Sequence, residues 1–156
     1  MRRVFLFLVL SVFSLNADFL DLSSSITKLN EFKYETPQGN GIKIPKDVKL
    51  IIVSFEKDTG ALVNEYLNAQ NPDYLQKHNS VFIADIHKMP GVITNMFAIP
   101  KLKKYKHPIY INYNEKFEQF VMAKEEKVTL LHIENSIIKK ISFIETKDEL
   151  KAAIEK

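Results

Sequence analysis

At 156 residues, 46% of them hydrophobic and 26% charged, the chain has the size and composition of one ordinary globular domain, not of a disordered or low-complexity polymer. Its formal charge of +3 owes two units to Arg2 and Arg3, the only arginines; without them 20 Lys face 19 Asp and Glu, which gives nucleic-acid binding no electrostatic support. There is no cysteine, which excludes a disulfide framework, a lipoprotein anchor and any thiol chemistry by the chain acting alone.

Residues 1–17 read as an export signal. Arg2 and Arg3 form the positive n-region, and Val4–Phe13 is an apolar run with one serine. That run is far shorter than the roughly 20 residues needed to span a bilayer. Leu15-Asn16-Ala17 offers a cleavage site, with Ser14 as an alternative end. The expected location is periplasmic or secreted, with no stable membrane span after signal removal. Residues 18–30 are polar, with Ser23–Ser25 in a row, and are expected to form a flexible leader carrying at most a short helix.

Phe32 and Tyr34 alternate with polar residues over Glu31–Thr36, Pro37–Gly41 is dense in turn formers, and Ile42-Lys43-Ile44 alternates again. This predicts a hairpin. Val48–Phe55 is a nearly continuous β-branched and apolar run, expected of a central strand buried on both faces. After the polar loop Glu56–Gly60, Ala61–Gln70 sets Leu62/Tyr66 and Val63/Leu67 four apart. That spacing predicts a helix, capped by Asp58 or Thr59 and stopped by Asn71-Pro72. Ser80–Ile86 is a second buried strand. Val92, Ile93, Met96 and Phe97 share a helical face, and Pro100 is expected to end or kink that helix.

Ile109–Tyr113 is a third strand, and Pro108 before it suits a strand start or an edge. Phe117–Ala123 predicts a short helix. Val128–Ile133 and Ile137–Ile144 flank Glu134-Asn135-Ser136 as a second hairpin, and Thr146 caps a last helix, Lys147–Lys156. Strands alternating with helices predict an α/β fold with a parallel sheet covered on both faces, to which the late hairpin adds antiparallel strands.

The hairpin FKYETPQGNGIKI feeding KLIIVSF, the loop EKDTG opening a helix, and the late hairpin VTLLHIENSIIKKI together resemble the thioredoxin-like fold. The branch they resemble is that of peroxiredoxins and periplasmic disulfide reductases. The resemblance implies a three-layer α/β sandwich with a mixed central sheet and an N-terminal hairpin, over residues 31–156. In that family the loop after the central strand, with the first turn of its helix, holds the reactive cysteine, where the helix N-terminus stabilises the thiolate. Here Glu56, Lys57, Asp58, Thr59 and Gly60 stand in that place, a vestigial active-site loop without sulfur. Many relatives also carry a cis-proline before the strand that here begins at Val128; this chain has Glu126-Lys127. VKLIIVSF, ADIHKMPG, HPIYINYN and TLLHIENSII resemble the cysteine-free YtfJ-type periplasmic family, which implies a periplasmic protein without a defined activity.

Thr59 is the one hydroxyl in the vestigial loop, and no histidine lies near it in sequence to activate it. His78, His87, His107 and His132 show no zinc-type spacing. His87, Met89 and Met96 supply the imidazole and thioether groups that Cu(I) accepts, although Met96 on an apolar helix face is expected to fill a gap in the core. Lys101, Lys103, Lys104 and Lys106, with Tyr105, form a basic run suited to anionic lipid, to a partner, or to a solvated helix end. Tyr110 and Tyr113 mark the third strand as a place where an extended peptide would add if its edge were open. Gly39-Asn40-Gly41 precedes no helix and is a turn, not a phosphate loop. The chain therefore reads as an exported, non-redox thioredoxin-like domain without cofactor or catalytic residue, which binds an envelope protein or peptide. The alternative is a copper carrier or cysteine-independent enzyme using Glu56–Gly60 with His87 and Met89.

Overall fold

The structure, a computed structural model, describes residues 25–156. The expected signal segment and residues 18–24 of the expected leader lie outside that range. The described part of the leader is built into the fold. Ile26–Leu29 forms α1, and the Ser25 hydroxyl at its start accepts from the Lys28 N–H at 3.2 Å. Ile26 and Leu29 are buried, and the Tyr34 hydroxyl donates to the Leu29 carbonyl at 2.8 Å. The polar average over this stretch hides two apolar residues placed three apart, which is enough to anchor one helical turn.

The first hairpin is present but short. β1 (Tyr34–Glu35) and β2 (Gly41–Ile42) pair antiparallel, with Tyr34 opposite Ile42. Gly39, at φ 85°, donates its N–H to the Thr36 carbonyl and closes the turn. β3 (Leu50–Ser54) follows, buried at all five positions. α2 (Lys57–Asn68) and the single turn α3 (Tyr74–Lys77) lead to β4 (Ser80–Asp85), which is also buried throughout. β3 and β4 are parallel, so the chain needs the crossover that α2 provides.

From Gly91 to Leu102 the backbone is continuously helical and is labelled α4. Gly91–Ile93 is α-helical, Thr94–Ala98 is a π turn, and Ile99–Leu102 is α-helical again. Of the two outcomes expected at Pro100, an end or a kink, the helix does not end there. The π turn lies directly ahead of it, with the Ile99 N–H reaching the Thr94 carbonyl, so the missing proline N–H falls where the register has already shifted.

β5 (Tyr110–Asn112) is interior rather than an edge. Ile111 sits opposite Ala84 in parallel and opposite Glu35 in antiparallel pairing. Pro108 lies ahead of the strand and removes no ladder N–H. α5 (Lys116–Phe120) precedes β6 (Val128–Glu134) and β7 (Ile137–Ile144). The latter two are joined by Asn135-Ser136 at φ 52° and 62°, the left-handed pair that a tight two-residue hairpin requires. α6 (Lys147–Ile154) is capped by Thr146 and Glu149, as the sequence predicts for Thr146.

The finished sheet is mixed, with strand order β2-β1-β5-β4-β3-β6-β7. α2 and α6 cover one face, packing Val63, Leu67 and Leu150 against Ile52, Phe82 and Leu130. α1 and α5 cover the other, where the Phe117 ring lies 5.1 Å from Phe32 and 6.0 Å from both Tyr34 and Phe55. This is the expected α/β sandwich with an N-terminal hairpin. No helix of the described residues is long and apolar enough to cross a membrane.

Leu29→Ala is expected to lower unfolding free energy by about 2–5 kcal/mol, as for other buried leucines. Urea denaturation measures this. A loss below about 0.5 kcal/mol would show that α1 lies outside the cooperative unit.

Candidate functional site

β3 and β4 end side by side at Ser54 and Asp85, and the chain leaves them for α2 and α4, which pack on the same face of the sheet. In open parallel sheets this is where a crevice forms. Here it is a cleft of about 480 Å³ between the start of α2 and the inner side of α4. Its walls are mostly apolar, with Phe55, Ile86, Met89, Ile93, Phe97 and Leu102 prominent. Gly60 and Ala61 of α2 leave room: a Cβ on Gly60 would come within 3.4 Å of the Ser54 hydroxyl. Ser54 is itself buried and lines the cleft. Lys57, Lys88 and Lys101 supply cations along the lining, against Glu56 and Asp85.

Glu56–Gly60, the loop that the resemblance marks as vestigial, forms the cap and first turn of α2. Glu56, not Asp58 or Thr59, is the residue at the cap position. The Thr59 hydroxyl accepts from the Glu56 N–H at 3.2 Å and donates to the Glu56 carbonyl at 3.0 Å. This closure lets the helix begin at Lys57, five residues before Leu62, the first periodic apolar position. The Glu56 carboxylate accepts from the Glu126 N–H at 3.1 Å, and Glu126 stands at φ 60°. One hydrogen bond therefore joins the two loops where the resemblance places the cysteine and the cis-proline. Among the described residues no peptide bond is cis.

Below the cleft lies a buried polar cluster. The Asp85 carboxylate accepts from the His87 N–H at 3.1 Å and from the Asn112 amide at 2.7 Å, and lies 2.5 Å from His87 Nδ1. His87 Nε2 faces Glu118 at 3.5 Å, and Lys88 pairs with the same carboxylate at 2.8 Å. Both ring nitrogens of His87 thus face carboxylates. Met89 lines the cleft, while Met96 is 63% exposed on α4 and fills no core gap. Thr94 and half-buried Ala98, Ile99 and Leu102 occupy the side of α4 against the protein, which leaves Val92 and Met96 facing outward and the exposed Ile93 and Phe97 bordering the cleft. Among the described residues no group of three or more His, Cys, Asp or Glu is arranged to hold a metal ion. The interior position of β5 also closes the third strand to an added peptide; Tyr110 is buried and Tyr113 exposed.

Sequence spacing gave no sign of His107. It is buried, with Nε2 at 2.9 Å from Asn64 Oδ1, while the Asn64 amide donates to the Gly60 carbonyl at 2.8 Å. Since Asn64 Oδ1 accepts, Nε2 carries the proton, and buried Nδ1 has no partner. Burial holds the His107 pKa down to about 4. The only warning in the sequence is its place between Tyr105 and Pro108 at the entry to a strand.

No protein-family model and no curated protein matches the chain. Solved structures do match. A thioredoxin-like protein from Porphyromonas gingivalis superposes with TM-score 0.52 at 12% identity, over 79% of this chain and 86% of that one. Peroxiredoxin Q from Xanthomonas campestris gives 0.51 at 9% identity, over 86% and 96%. A conserved protein of unknown function from Bacteroides fragilis gives 0.50 at 13%, over 79% and 93%. The fold is thioredoxin-like. At these identities the likeness concerns the fold alone. Within this thioredoxin-like chain the cleft stands beside the loop to which the resemblance assigns catalysis, and that loop holds no sulfur.

His107 stays neutral in the folded chain down to about pH 4, whereas an unfolded histidine takes its proton near 6.5. As pH falls the unfolded state binds the proton first, so stability is full above about 6.5 and declines towards 4. His107→Gln is expected to remove on the order of 2–3 kcal/mol of this decline. Denaturation of both proteins at pH 7, 5.5 and 4.5 checks it; parallel profiles would contradict it.

Proposed function

We propose that this chain is an exported, non-redox binding protein that takes an apolar ligand, or the apolar side chains of a partner, in the cleft between α2 and α4. The observation that carries the reading is the cleft itself. Its volume is that of a small-molecule site, its walls are mostly apolar, and its few polar groups are placed to orient a ligand. The missing sulfur removes thiol exchange from the same place. Export rests on Arg2, Arg3 and the apolar run Val4–Phe13. A place beside the YtfJ-type periplasmic proteins rests on the four segments quoted above.

The cleft opens outside the carboxyl ends of the parallel strands β3 and β4, where open α/β sheets take their ligands. Here the crevice floor is Ala84 and Gly60, small residues that leave space which larger ones would fill. Burying an apolar group of the ligand against Phe55, Met89 and Leu102 supplies the affinity. Lys57 and Lys101 favour a ligand that carries a negative group at one end.

An apolar fluorescent sulfonate such as anilinonaphthalene sulfonate is expected to bind at one saturable site. Ala61→Trp, which fills the cleft from α2, is expected to weaken that binding tenfold or more, about 1.4 kcal/mol. Unchanged binding in the variant would remove the cleft as the site. The wild-type chain is also expected to show no peroxide or disulfide reduction; turnover of either kind would end the non-redox reading.

A further inference from the structure

We propose that the outer face of α4, with the lysine run behind it, is a docking surface for an anionic lipid bilayer. Four large apolar side chains on this helix are exposed: Val92 is 67% exposed, Ile93 45%, Met96 63% and Phe97 62%, and of these Ile93 and Phe97 also border the cleft. The inner side of the helix already holds it to the fold through buried Thr94 and half-buried Ile99 and Leu102. The outer side is therefore free to bury its apolar groups elsewhere. A cluster of this kind marks an interaction site on a soluble domain.

Charge selects the partner. From Ile86 to Asn114 the chain contains five lysines and no Asp or Glu. Lys88 is used by Glu118. Lys101, Lys103, Lys104 and Lys106 are exposed and make no ion pair among the described residues. Lys101 lies in the last turn of α4 and the other three follow it directly, so the cations and the apolar groups belong to one helix and its exit. A bilayer with anionic headgroups presents both complements in layers: negative charge outside, hydrocarbon beneath. The helix seats Val92, Met96 and Phe97 at the boundary, and the lysines meet the headgroups. Ile93, Phe97 and Lys101 also line the cleft, so a bilayer docked here lies against its rim.

The chain has no tryptophan, so Met96→Trp provides a single local reporter in the full chain. With phosphatidylglycerol-rich vesicles its emission is expected to shift to the blue and to be quenched by brominated acyl chains. Phosphatidylcholine vesicles leave it unshifted, and about 0.5 M salt reverses the shift. Adding Lys103→Gln, Lys104→Gln and Lys106→Gln is expected to lower partitioning about 100-fold, at about fivefold per lysine. Attachment through the apolar residues 4–13 alone would leave the reporter unshifted, and that result overturns the proposal. So does a shift that ignores lipid charge or the lysines. Emission already blue without vesicles also overturns it, assigning the face to a second copy if it grows with protein concentration and to residues 1–24 if it does not.

Discussion

Leu50–Ser54 has no side that can face water, so the chain must bring a covering layer to each face of this strand. Burying its four apolar side chains is worth roughly 8 kcal/mol, at about 2 each. Net domain stability is only about 5–15 kcal/mol, so leaving one face open, with two of these side chains and about 4 kcal/mol, would cost a large share of it. The rest of the architecture answers that requirement. α2 and α6 cover one face, α1 and α5 the other, and β4 and β6 take the hydrogen bonds on either side. The parallel pairing with β4 then forces a crossover helix, and the crossover opens the cleft at the strand ends.

The start of α2 explains how the scaffold stands without its thiol. In a redox relative the positive end of this helix acts on a thiolate. Here the helix end is turned inward on its own side chains, with Thr59 bonded to Glu56 and Glu56 bonded across to Glu126. Asp58 in the first turn complements the dipole. The charge that chemistry would have used is employed in joining two loops. What remains open to a ligand is the apolar wall beyond them.

The strands were legible because their apolar runs are long and punctuated by turn residues, and Thr146 marked the start of its helix. The resemblance to a thioredoxin-like sandwich likewise rested on the order of hydrophobic blocks, which tertiary packing preserves. Three features were not legible, each for a physical reason. Periodicity shows that Val92, Ile93, Met96 and Phe97 share a face but not whether the face turns inward; the buried Thr94 and the π turn decide that. Pro108 fits the mouth of an interior strand as well as an edge, because its missing N–H lies outside the ladder in both cases. His107 has no spacing to betray it, since its partner Asn64 is 43 residues away.

Asp85 links the core to the outer face of α4. A carboxylate buried at a strand end is costly unless its oxygens are satisfied. This one takes the His87 backbone N–H, the His87 ring and the Asn112 amide, so the loop after β4 is pinned where it leaves the sheet. The same charge, after burial, pushes the Tyr34 hydroxyl pKa up, keeping it a neutral donor to the Leu29 carbonyl. From the pinned loop the chain reaches Pro90, whose carbonyl accepts from both the N–H and the hydroxyl of Thr94. Thr94 is the buried contact that fixes the rotation of α4 about its axis. A helix held at that point turns Ala98 and Leu102 toward the cleft, sets Ile93 and Phe97 at its rim, and leaves Val92 and Met96 in solvent. The exposed face is thus a consequence of how a single buried charge is satisfied, and it persists whether or not anything covers it.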